Sequence, residues 1–206
     1  MKRERKNVLS RQRILDAAME EFSRSTYNAV SMNTICAENN ISKGNLYHYY
    51  KDKDELYLLC VEKCFDTITD YLNETEKELT GTAEQKLGSY FDARLHFFAE
   101  NQIYLGIFTS AAFSPPENLV AEISKRRNKF DTLNISVLTR LLQSEPLRGG
   151  LSIEAVVRDF GMYMDYFNLN FKSELSTQVP AEVILREHEE RCHRQLNILL
   201  YGVIGK

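Results

Sequence analysis

The stretch from Ser31 to Lys53, SMNTICAENNISKGNLYHYYKDK, constrains the fold of this chain more than any other. An apolar triplet at i, i+3 and i+4 marks one face of a short helix from Met32 to Glu38: Met32, Ile35 and Cys36. The pair Asn39-Asn40 interrupts that spacing, and asparagine tolerates the left-handed conformation that ends a helix. The pattern predicts two short helices joined by a tight turn.

The second helix of this stretch has an apolar back and a polar front. Ser42 is placed to cap it, and its back consists of Ile41, Leu46 and Tyr50. Its front carries donors, acceptors and one small residue: Lys43, Gly44, Asn45, His48 and Tyr49. A polar front that allows close approach, seated by an apolar back, is what a helix needs to enter the major groove of DNA.

A longer string carries a family resemblance. The run RILDAA from Arg13 to Ala18, then Phe22, then residues 31–56 resemble the amino-terminal signature of TetR-type (tetracycline-repressor-like) transcriptional regulators. The resemblance covers about the first quarter of the chain, and ISKGNLYHYY is its most specific part. The chain departs from the common pattern at Thr26, where glycine is frequent, at Cys36, where alanine is, and at Asn39-Asn40, where Ala-Gly is.

The resemblance implies binding to double-stranded operator DNA. Phosphate contacts are expected from Ser31, Tyr47 and Lys53, because a hydroxyl, a phenol and an ammonium near helix starts suit anionic oxygens. Groove contacts are expected from Lys43, Gly44, Asn45, His48 and Tyr49. Lysine can bind guanine O6 and N7, and asparagine can bind adenine N6 and N7.

Charge is divided unevenly along the 206 residues, although the net charge is only −3. Residues 1–53 hold 10 Lys/Arg against 6 Asp/Glu, and residues 54–206 hold 16 against 23. A basic head on an acidic body suits a protein that presents one end to phosphate. For Lys2, Arg3, Arg5 and Lys6 alone, an ordinary solvated tail explains the charge equally well.

The remaining sequence predicts an all-α fold of about nine helices and contains no strand pattern. A first helix from a Ser10 cap to Arg24 completes a three-helix helix-turn-helix head, residues 1–52. We expect the body, residues 53–206, to dimerise and, as the resemblance implies, to bind an effector. Its helices begin at Asp52-Lys53 (running to about Leu79), at a Thr82 capping box, at Ile103, at Ser114-Pro115-Pro116-Glu117, at Ile153 and at Pro180. With no signal peptide and no apolar run near ~18 residues, we expect a cytoplasmic protein without a membrane segment.

Two seams in the last two helices predict a homodimer. Ile153, Val157, Phe160, Met164, Phe167 and Phe171 are spaced as a heptad seam, and Leu185, Cys192, Leu196 and Leu199 continue a similar spacing. Two chains that each contribute two helices form a four-helix bundle. Such a two-fold dimer presents two recognition helices to a pseudo-palindromic operator.

Aromatic residues are frequent in the predicted body, where the resemblance implies a cavity for a small-molecule effector. The candidates are Phe65, Phe91, Phe98, Tyr104, Phe108, Phe113, Tyr163 and Phe167. For any single residue, ordinary core packing is the simpler interpretation. The resemblance implies a repressor that the effector releases from its operator.

No pattern in the chain predicts catalysis, a cofactor or a metal site. His188 and His193 are five residues apart, so their rings point about 140° apart and cannot share a zinc ion in the usual helical geometry. They are expected at an interface or the surface, and the pair Glu189-Glu190 on a solvated face. Two other functions stay open: a helical interaction protein without DNA binding, and a thiol or metal sensor that uses Cys60 and Cys64.

Overall fold

The computed structural model describes residues 2–174 and 179–204, with backbone alone for residues 2–4. This part of the chain forms nine α-helices and one 3-10 helix: α1 Lys2–Arg24, α2 Met32–Glu38, α3 Lys43–Tyr49, α4 Lys53–Lys77, α5 Ala83–Glu100, α6 Gln102–Phe113, the 3-10 helix Glu117–Leu119, α7 Val120–Gln143, α8 Ile153–Glu174 and α9 Ala181–Val203. In the same ranges β pairing is limited to one isolated bridge between Leu147 and Ile204. The predicted all-α class is confirmed. Within these ranges, no helix has the length and apolarity that a membrane crossing requires.

The chain divides into two compact units. The first consists of Met1–Asp66 and Asn101–Arg127, and the second of Thr67–Glu100 and Asn128–Lys206. The predicted head, residues 1–52, therefore shares its unit with the start of α4, all of α6 and the start of α7. The boundary after residue 52 separates proposed roles and stays a prediction.

The first unit is built around side chains that the helical periodicity placed on inner faces. Ile14, Ile35, Leu46 and Leu56 are fully buried. Helix α6 packs along α1, and Gly106 lies directly against the backbone of Ser23. A Cβ atom built on that glycine would lie 2.2 Å from the Ser23 carbonyl oxygen, so this crossing requires glycine.

Two predicted helix starts are wrong, and the others agree with the structure to within one residue. Helix α1 begins at Lys2 and not at Ser10, because no glycine or proline before Ser10 stops the helix. Ser114 is the carboxyl-terminal cap of α6 and does not start the next helix. A residue before a proline is disfavoured in the helical conformation, and the next helical turn begins at Glu117, after Pro115 and Pro116. The Thr82 capping box is present, since Thr82 and Gln85 exchange backbone-to-side-chain hydrogen bonds of 3.0 and 3.3 Å.

The second unit contains a buried ionic cluster, and two of its members, His188 and Glu189, were not expected in the core. Arg94 of α5 pairs with Glu189 of α9 at 3.0 Å, and their side chains are 10% and 1% exposed. His188 is also buried, with Nδ1 3.2 Å from Glu189 Oε1 and Nε2 2.8 Å from Asn168 Oδ1. The expectations of a solvated Glu189 and a surface His188 are therefore wrong.

The sequence does contain a signal for this cluster, because Arg94 occupies a position on the apolar face of α5. Arg94 follows Leu87 and Phe91 and precedes Phe98 at a spacing of 4, 3 and 4 residues. Its guanidinium carbon lies 5.6 Å from the Phe91 ring centre and 5.2 Å from that of Phe130. Burial raises the pKa of Glu189, but the charge of Arg94 and the hydrogen bond from His188 outweigh it and leave that pKa lowered.

Candidate nucleic-acid interface

The start of α2 is fixed by a reciprocal capping box at Ser31. The Ser31 hydroxyl accepts from the Thr34 backbone N–H at 3.0 Å, and Thr34 Oγ1 accepts from the Ser31 N–H at 2.9 Å. Ser31 is half-buried. Its hydroxyl thus sits at the amino-terminal end of a helix, where an anionic oxygen is stabilised.

The turn between α2 and α3 depends on Asn40. This residue has φ 51°, the left-handed conformation that the sequence pattern predicted for the Asn39-Asn40 pair. The Ile41 N–H then donates to the Cys36 carbonyl at 3.0 Å, which closes α2 in the manner of a Schellman motif. Asn40 therefore supplies a conformation for which glycine is the usual residue.

Helix α3 has the predicted polar front and apolar back. Its cap is Ser42, whose hydroxyl accepts from the Asn45 N–H at 3.2 Å. Leu46 and Tyr50 are buried. The front residues Lys43, Gly44, Asn45 and His48 are exposed, Tyr47 is 54% exposed, and Tyr49 is half-buried. A Cβ on Gly44 would meet nothing within 4 Å, so this end of the helix is open for close approach.

Two tyrosines attach α3 to α1. The Tyr49 hydroxyl donates to Asn7 Oδ1 at 3.2 Å, and the Tyr50 hydroxyl donates to the Arg11 carbonyl at 3.0 Å. The guanidinium of Arg11 lies 5.8 Å from the Tyr50 ring centre. These contacts set the angle of α3 on α1. Asn7 lies before Ser10, the predicted start of α1, so the sequence pattern did not point to it.

Lys53 is held more firmly than a surface phosphate contact requires. Its ammonium donates to the carbonyls of Tyr27 and Val30 at 3.1 and 3.2 Å. It also lies 3.9 Å from the centre of the Tyr27 ring. Lys53 thereby joins the first turn of α4 to the loop that leads into Ser31. One of the three ammonium protons remains for a phosphate oxygen.

A polar chain continues from this loop to the segment after α6. The Tyr27 hydroxyl donates to Asp54 Oδ1, and Asn118 donates to Asp54 Oδ2 at 3.2 Å. Burial and the hydrogen bond to Asp54 raise the pKa of Tyr27 above its ordinary value. Sequence reasoning missed this chain, because nothing in the local pattern pairs residue 54 with residue 118.

The predicted effector residues are divided between the two units. In the first unit, the ring centres of Phe65 and Phe108 are 5.3 Å apart, and those of Phe108 and Phe113 are 6.3 Å apart. Tyr104, one helical turn before Phe108, is half-buried. In the second, Phe91 and Phe98 are buried. Tyr163 is 37% exposed and stacks on Phe167, with ring centres 6.4 Å apart.

A cavity of about 190 Å³ lies elsewhere in the second unit. None of these aromatic side chains lines it. The lining residues are Glu76, Leu79, Lys86, Val137, Arg140, Leu141 and Ser144. Arg140 Nε lies 2.6 Å from Glu76 Oε1 at this site. The volume is below the ~300 Å³ at which sites for drug-sized ligands usually begin.

The predicted dimer seams separate into inward and outward residues. Four seam residues are buried within the single chain and are therefore not available at its surface: Phe171, Leu185, Cys192 and Leu196. The other seam residues are half-buried: Ile153, Val157, Phe160, Met164, Phe167 and Leu199. The most exposed apolar side chains of α8 and α9 are ones that the prediction did not name: Met162, Tyr166, Leu169, Ile198 and Tyr201, each 60–68% exposed.

The cysteines of α4 are core residues. Cys60 and Cys64 are fully buried, and burial raises the pKa of both thiols well above the ordinary value. Among the described residues, no group of three or more His, Cys, Asp or Glu side chains is arranged to hold a metal ion.

The sequence matches known regulators. The sequence model of the tetR family of bacterial regulatory proteins matches residues 14–60. The biofilm operon icaADBC HTH-type negative transcriptional regulator IcaR of Staphylococcus epidermidis is 26% identical over 193 residues, which is 91% of this chain and 97% of IcaR. The HTH-type transcriptional regulator QacR of Staphylococcus aureus is 26% identical over 197 residues, 91% of this chain and 90% of QacR.

The fold matches solved structures of regulators. The transcriptional regulator FadR of Bacillus subtilis, solved in complex with stearoyl-CoA, superposes with a TM-score of 0.62 at 16% identity. The match covers 88% of this chain and 96% of FadR.

Proposed function

The chain belongs to the tetR family of bacterial regulatory proteins, and from that premise we propose that it is a dimeric repressor released from operator DNA by a small molecule. As a member of that family it is a DNA-binding transcription factor and not an enzyme. The observation that carries the proposal is α3, whose open polar front is fixed on α1 by two tyrosines. A cytoplasmic location accompanies this role.

Phosphate and base contacts have separate roles in the proposed complex. The phosphates of the DNA backbone are bound by Ser31, Tyr47 and the remaining ammonium proton of Lys53. These contacts do not select a base sequence, because phosphates carry no sequence information. Lys43, Asn45 and His48 lie along the base edges, and Gly44 lets the helix come close. Tyr49 contributes mainly by orienting α3, because its hydroxyl donates to Asn7.

Substitutions in α3 test this division. Asn45→Ala leaves the cap intact, because Ser42 accepts from the backbone and not from the Asn45 side chain. We expect a base preference changed by roughly 1–3 kcal/mol at one position of the operator. Tyr47→Phe should weaken binding to all duplexes alike. Identical base-substitution profiles for wild type and Asn45→Ala would contradict the assignment of Asn45 to the groove.

The dimer is supported by the exposed apolar face of α8 and α9. On α8, one stripe is formed by residues spaced i, i+4 and i+7: Met162, Tyr166 and Leu169. On α9, Ile198 and Tyr201 are also exposed. Apolar side chains of this size are rarely left in water as a contiguous patch. We assign this face to the two-fold interface. At 100° per residue it lies on the opposite side of α8 from the seam residues, whose Phe167 and Phe171 pack against His188 of α9 in the same chain.

Effector release is supported by the polar chain in the first unit. Asn118 and Asp54 connect the segment after α6 to the first turn of α4, and Lys53 connects that turn to the loop before Ser31. A ligand that moved α6 would therefore displace Ser31 and Lys53 from their phosphates. The aromatic cluster of Phe65, Phe108 and Phe113 is the proposed apolar contact for such a ligand, although ordinary core packing also explains it.

Reciprocity offers the test of release. A coupling of ~1–3 kcal/mol is typical, and operator DNA must then weaken ligand binding by the same factor. Ligand affinity measured by calorimetry with and without operator checks this, once screening has identified a ligand. Equal affinities would contradict release by this route.

The two other functions, a thiol or metal sensor and a helical interaction protein without DNA binding, predict different experimental results. For a thiol sensor, the full burial and raised pKa of Cys60 and Cys64 keep both thiols protonated, whereas oxidation requires a thiolate. A DNA affinity that responds to oxidant in wild type, and not in Cys60→Ser/Cys64→Ser, would restore that function. A helical interaction protein predicts no salt-dependent binding to duplex DNA.

A further inference from the structure

The small cavity of the second unit has both apolar and charged walls. It measures about 190 Å³ and lies where the end of α4, the start of α5 and the end of α7 meet. Its apolar walls are aliphatic, and of the three side chains two are buried and the first is half-buried: Leu79, Val137 and Leu141. The polar part of the lining consists of Glu76, Lys86, Arg140 and Ser144.

Helical spacing brings the α7 part of this lining together. Positions 137, 140, 141 and 144 are spaced as i, i+3, i+4 and i+7, which is one side of a helix. Glu76 comes from the last turn of α4 and Lys86 from near the start of α5. Three helices therefore each contribute one charged side chain to the same cavity.

The charges around the cavity are only partly paired. Arg140 Nε donates to Glu76 Oε1 at 2.6 Å. Among the described residues the Arg140 guanidinium makes no other hydrogen bond or ion pair, so both of its terminal amino groups keep their donors. Lys86 is half-buried, and within the same ranges its ammonium has no partner. The two cations and one carboxylate leave one positive charge in excess.

We propose that this cavity binds a small monocarboxylate that carries a short apolar chain or ring. A planar carboxylate matches the paired donors of a guanidinium, and it can accept a further hydrogen bond from an ammonium. Its single negative charge balances the excess charge of Lys86 and Arg140. Its apolar part would cover Leu79, Val137 and Leu141 and remove them from water. A packing gap between helix ends is the ordinary explanation of such a cavity, and the unpaired Lys86 ammonium argues for more.

The volume of the cavity limits the size of the ligand. At about 30 Å³ for each water molecule, it corresponds to about six waters. Organic molecules pack more densely than liquid water, so we expect a ligand of roughly six to ten non-hydrogen atoms. Hexanoate and benzoate are of this size. Since no aromatic residue proposed to contact the effector lines the cavity, this is an additional site.

The experiment titrates full-length protein, without DNA, with sodium hexanoate and sodium benzoate. Methyl NMR spectra of protein labelled at leucine and valine report directly on Leu79, Val137 and Leu141. We expect saturable shifts at these three residues. Hexan-1-ol is the matched neutral probe and should bind at least about tenfold more weakly, because it lacks the charge-assisted hydrogen bonds. Inorganic phosphate, which has no apolar part, should not produce saturable shifts.

A substitution of the unpaired cation tests the charged wall. Lys86→Gln should weaken hexanoate binding by about tenfold, because it removes one charged donor. Arg186→Gln on α9 is the matched control: it removes an exposed cation of the same unit outside the cavity and should keep the wild-type affinity. An unchanged urea midpoint shows that Lys86→Gln is folded as stably as the wild type.

Each contrary outcome overturns the proposed site and leaves the proposed DNA-binding function intact, because the titrations contain no DNA. The absence of saturable methyl shifts with both carboxylates excludes a binding site for them. Equal affinities of wild type and Lys86→Gln for hexanoate contradict a role for the cation. Equal affinities for hexanoate and hexan-1-ol reduce the cavity to an apolar gap, and phosphate that binds as tightly as hexanoate contradicts the choice of a carboxylate.

Discussion

Lys53 joins the first turn of α4 to the loop before α2. The resemblance marks it as a phosphate contact, and its ammonium also clamps the carbonyls of Tyr27 and Val30. We expect Lys53→Ala to lower the free energy of unfolding by about 1–3 kcal/mol as well as weaken DNA binding, because it removes hydrogen bonds from a charged donor. Urea denaturation and DNA titration measure the two effects separately.

Tyr47 is the matched control for Lys53. It is 54% exposed, so Tyr47→Phe should leave the urea midpoint unchanged while it weakens DNA binding. If Lys53→Ala also left the urea midpoint unchanged, the clamp would contribute nothing to folding.

A second prediction at the scale of single residues concerns the buried carboxylate of Glu189. Removing its carboxylate leaves Arg94 buried without its partner, so Glu189→Ala should cost about 3–5 kcal/mol of stability by denaturant unfolding. Replacing both residues, as Arg94→Met/Glu189→Leu, should recover most of that loss. A double variant as unstable as Glu189→Ala would argue that the pair itself, and not the unpaired charge, sets the stability.

The same carboxylate predicts a pH dependence with a definite sign. Since the pKa of Glu189 is lowered in the folded chain, its stabilisation is complete above the unfolded value of about 4.3 and is lost as pH falls through the folded pKa. Stability measured between about pH 5 and pH 2 should therefore fall less steeply in Arg94→Met/Glu189→Leu than in wild type. Equal slopes would contradict this assignment.

At the scale of helices, the sequence predicted most starts and missed the contacts that depend on distant residues. Local caps at Ser42 and Thr82 were predicted correctly, because each involves residues three apart. The early start of α1 was missed because a serine inside a helix gives the same signal as a cap. The Arg94–Glu189 pair and the Asn118–Asp54 contact join residues far apart in the chain, and one sequence does not align them.

At the scale of helices, we predict how a substitution at the crossing of α1 and α6 changes the stability. A methyl group on Gly106 would lie 2.2 Å from a backbone oxygen of Ser23, so Gly106→Ala must push the two helices apart. We expect a loss of about 1–3 kcal/mol in denaturant unfolding, with a parallel loss of DNA affinity.

Gly88→Ala in α5 is the matched control for Gly106→Ala. There the new methyl group meets only His193, at 3.7 Å, so the substitution should be neutral or stabilise by up to about 1 kcal/mol. Equal effects of the two substitutions would mean that the close approach in α6 has no energetic importance.

At the scale of the whole molecule, the sequence predicted a dimer surface but not which apolar residues face outward. The seams contain residues such as Phe171 and Cys192 that are buried inside one chain. A heptad pattern identifies the apolar side of a helix, and it does not say whether that side meets its own chain or a second copy. The exposed stripe of Met162, Tyr166 and Leu169 became visible only once the neighbouring helices were in place.

Charge placed in that stripe tests the dimer. Leu169→Glu should convert a dimer into a monomer in sedimentation at micromolar concentration, because a carboxylate would be buried without a partner at the interface. Ile135→Glu on α7, where the isoleucine is 49% exposed, is the control and should remain dimeric. A wild type that is already monomeric would contradict the proposed assembly.

The most direct test of the central claim is selection of duplexes from a random-sequence pool by the wild-type protein, followed by sedimentation of the selected complex. A two-fold dimer with one α3 in each major groove predicts inverted repeats whose half-site centres lie about 34 Å apart, or a multiple of that, with at least two chains on each duplex. Failure to enrich any sequence, or enrichment of sites without two-fold symmetry that bind a single chain, would contradict it.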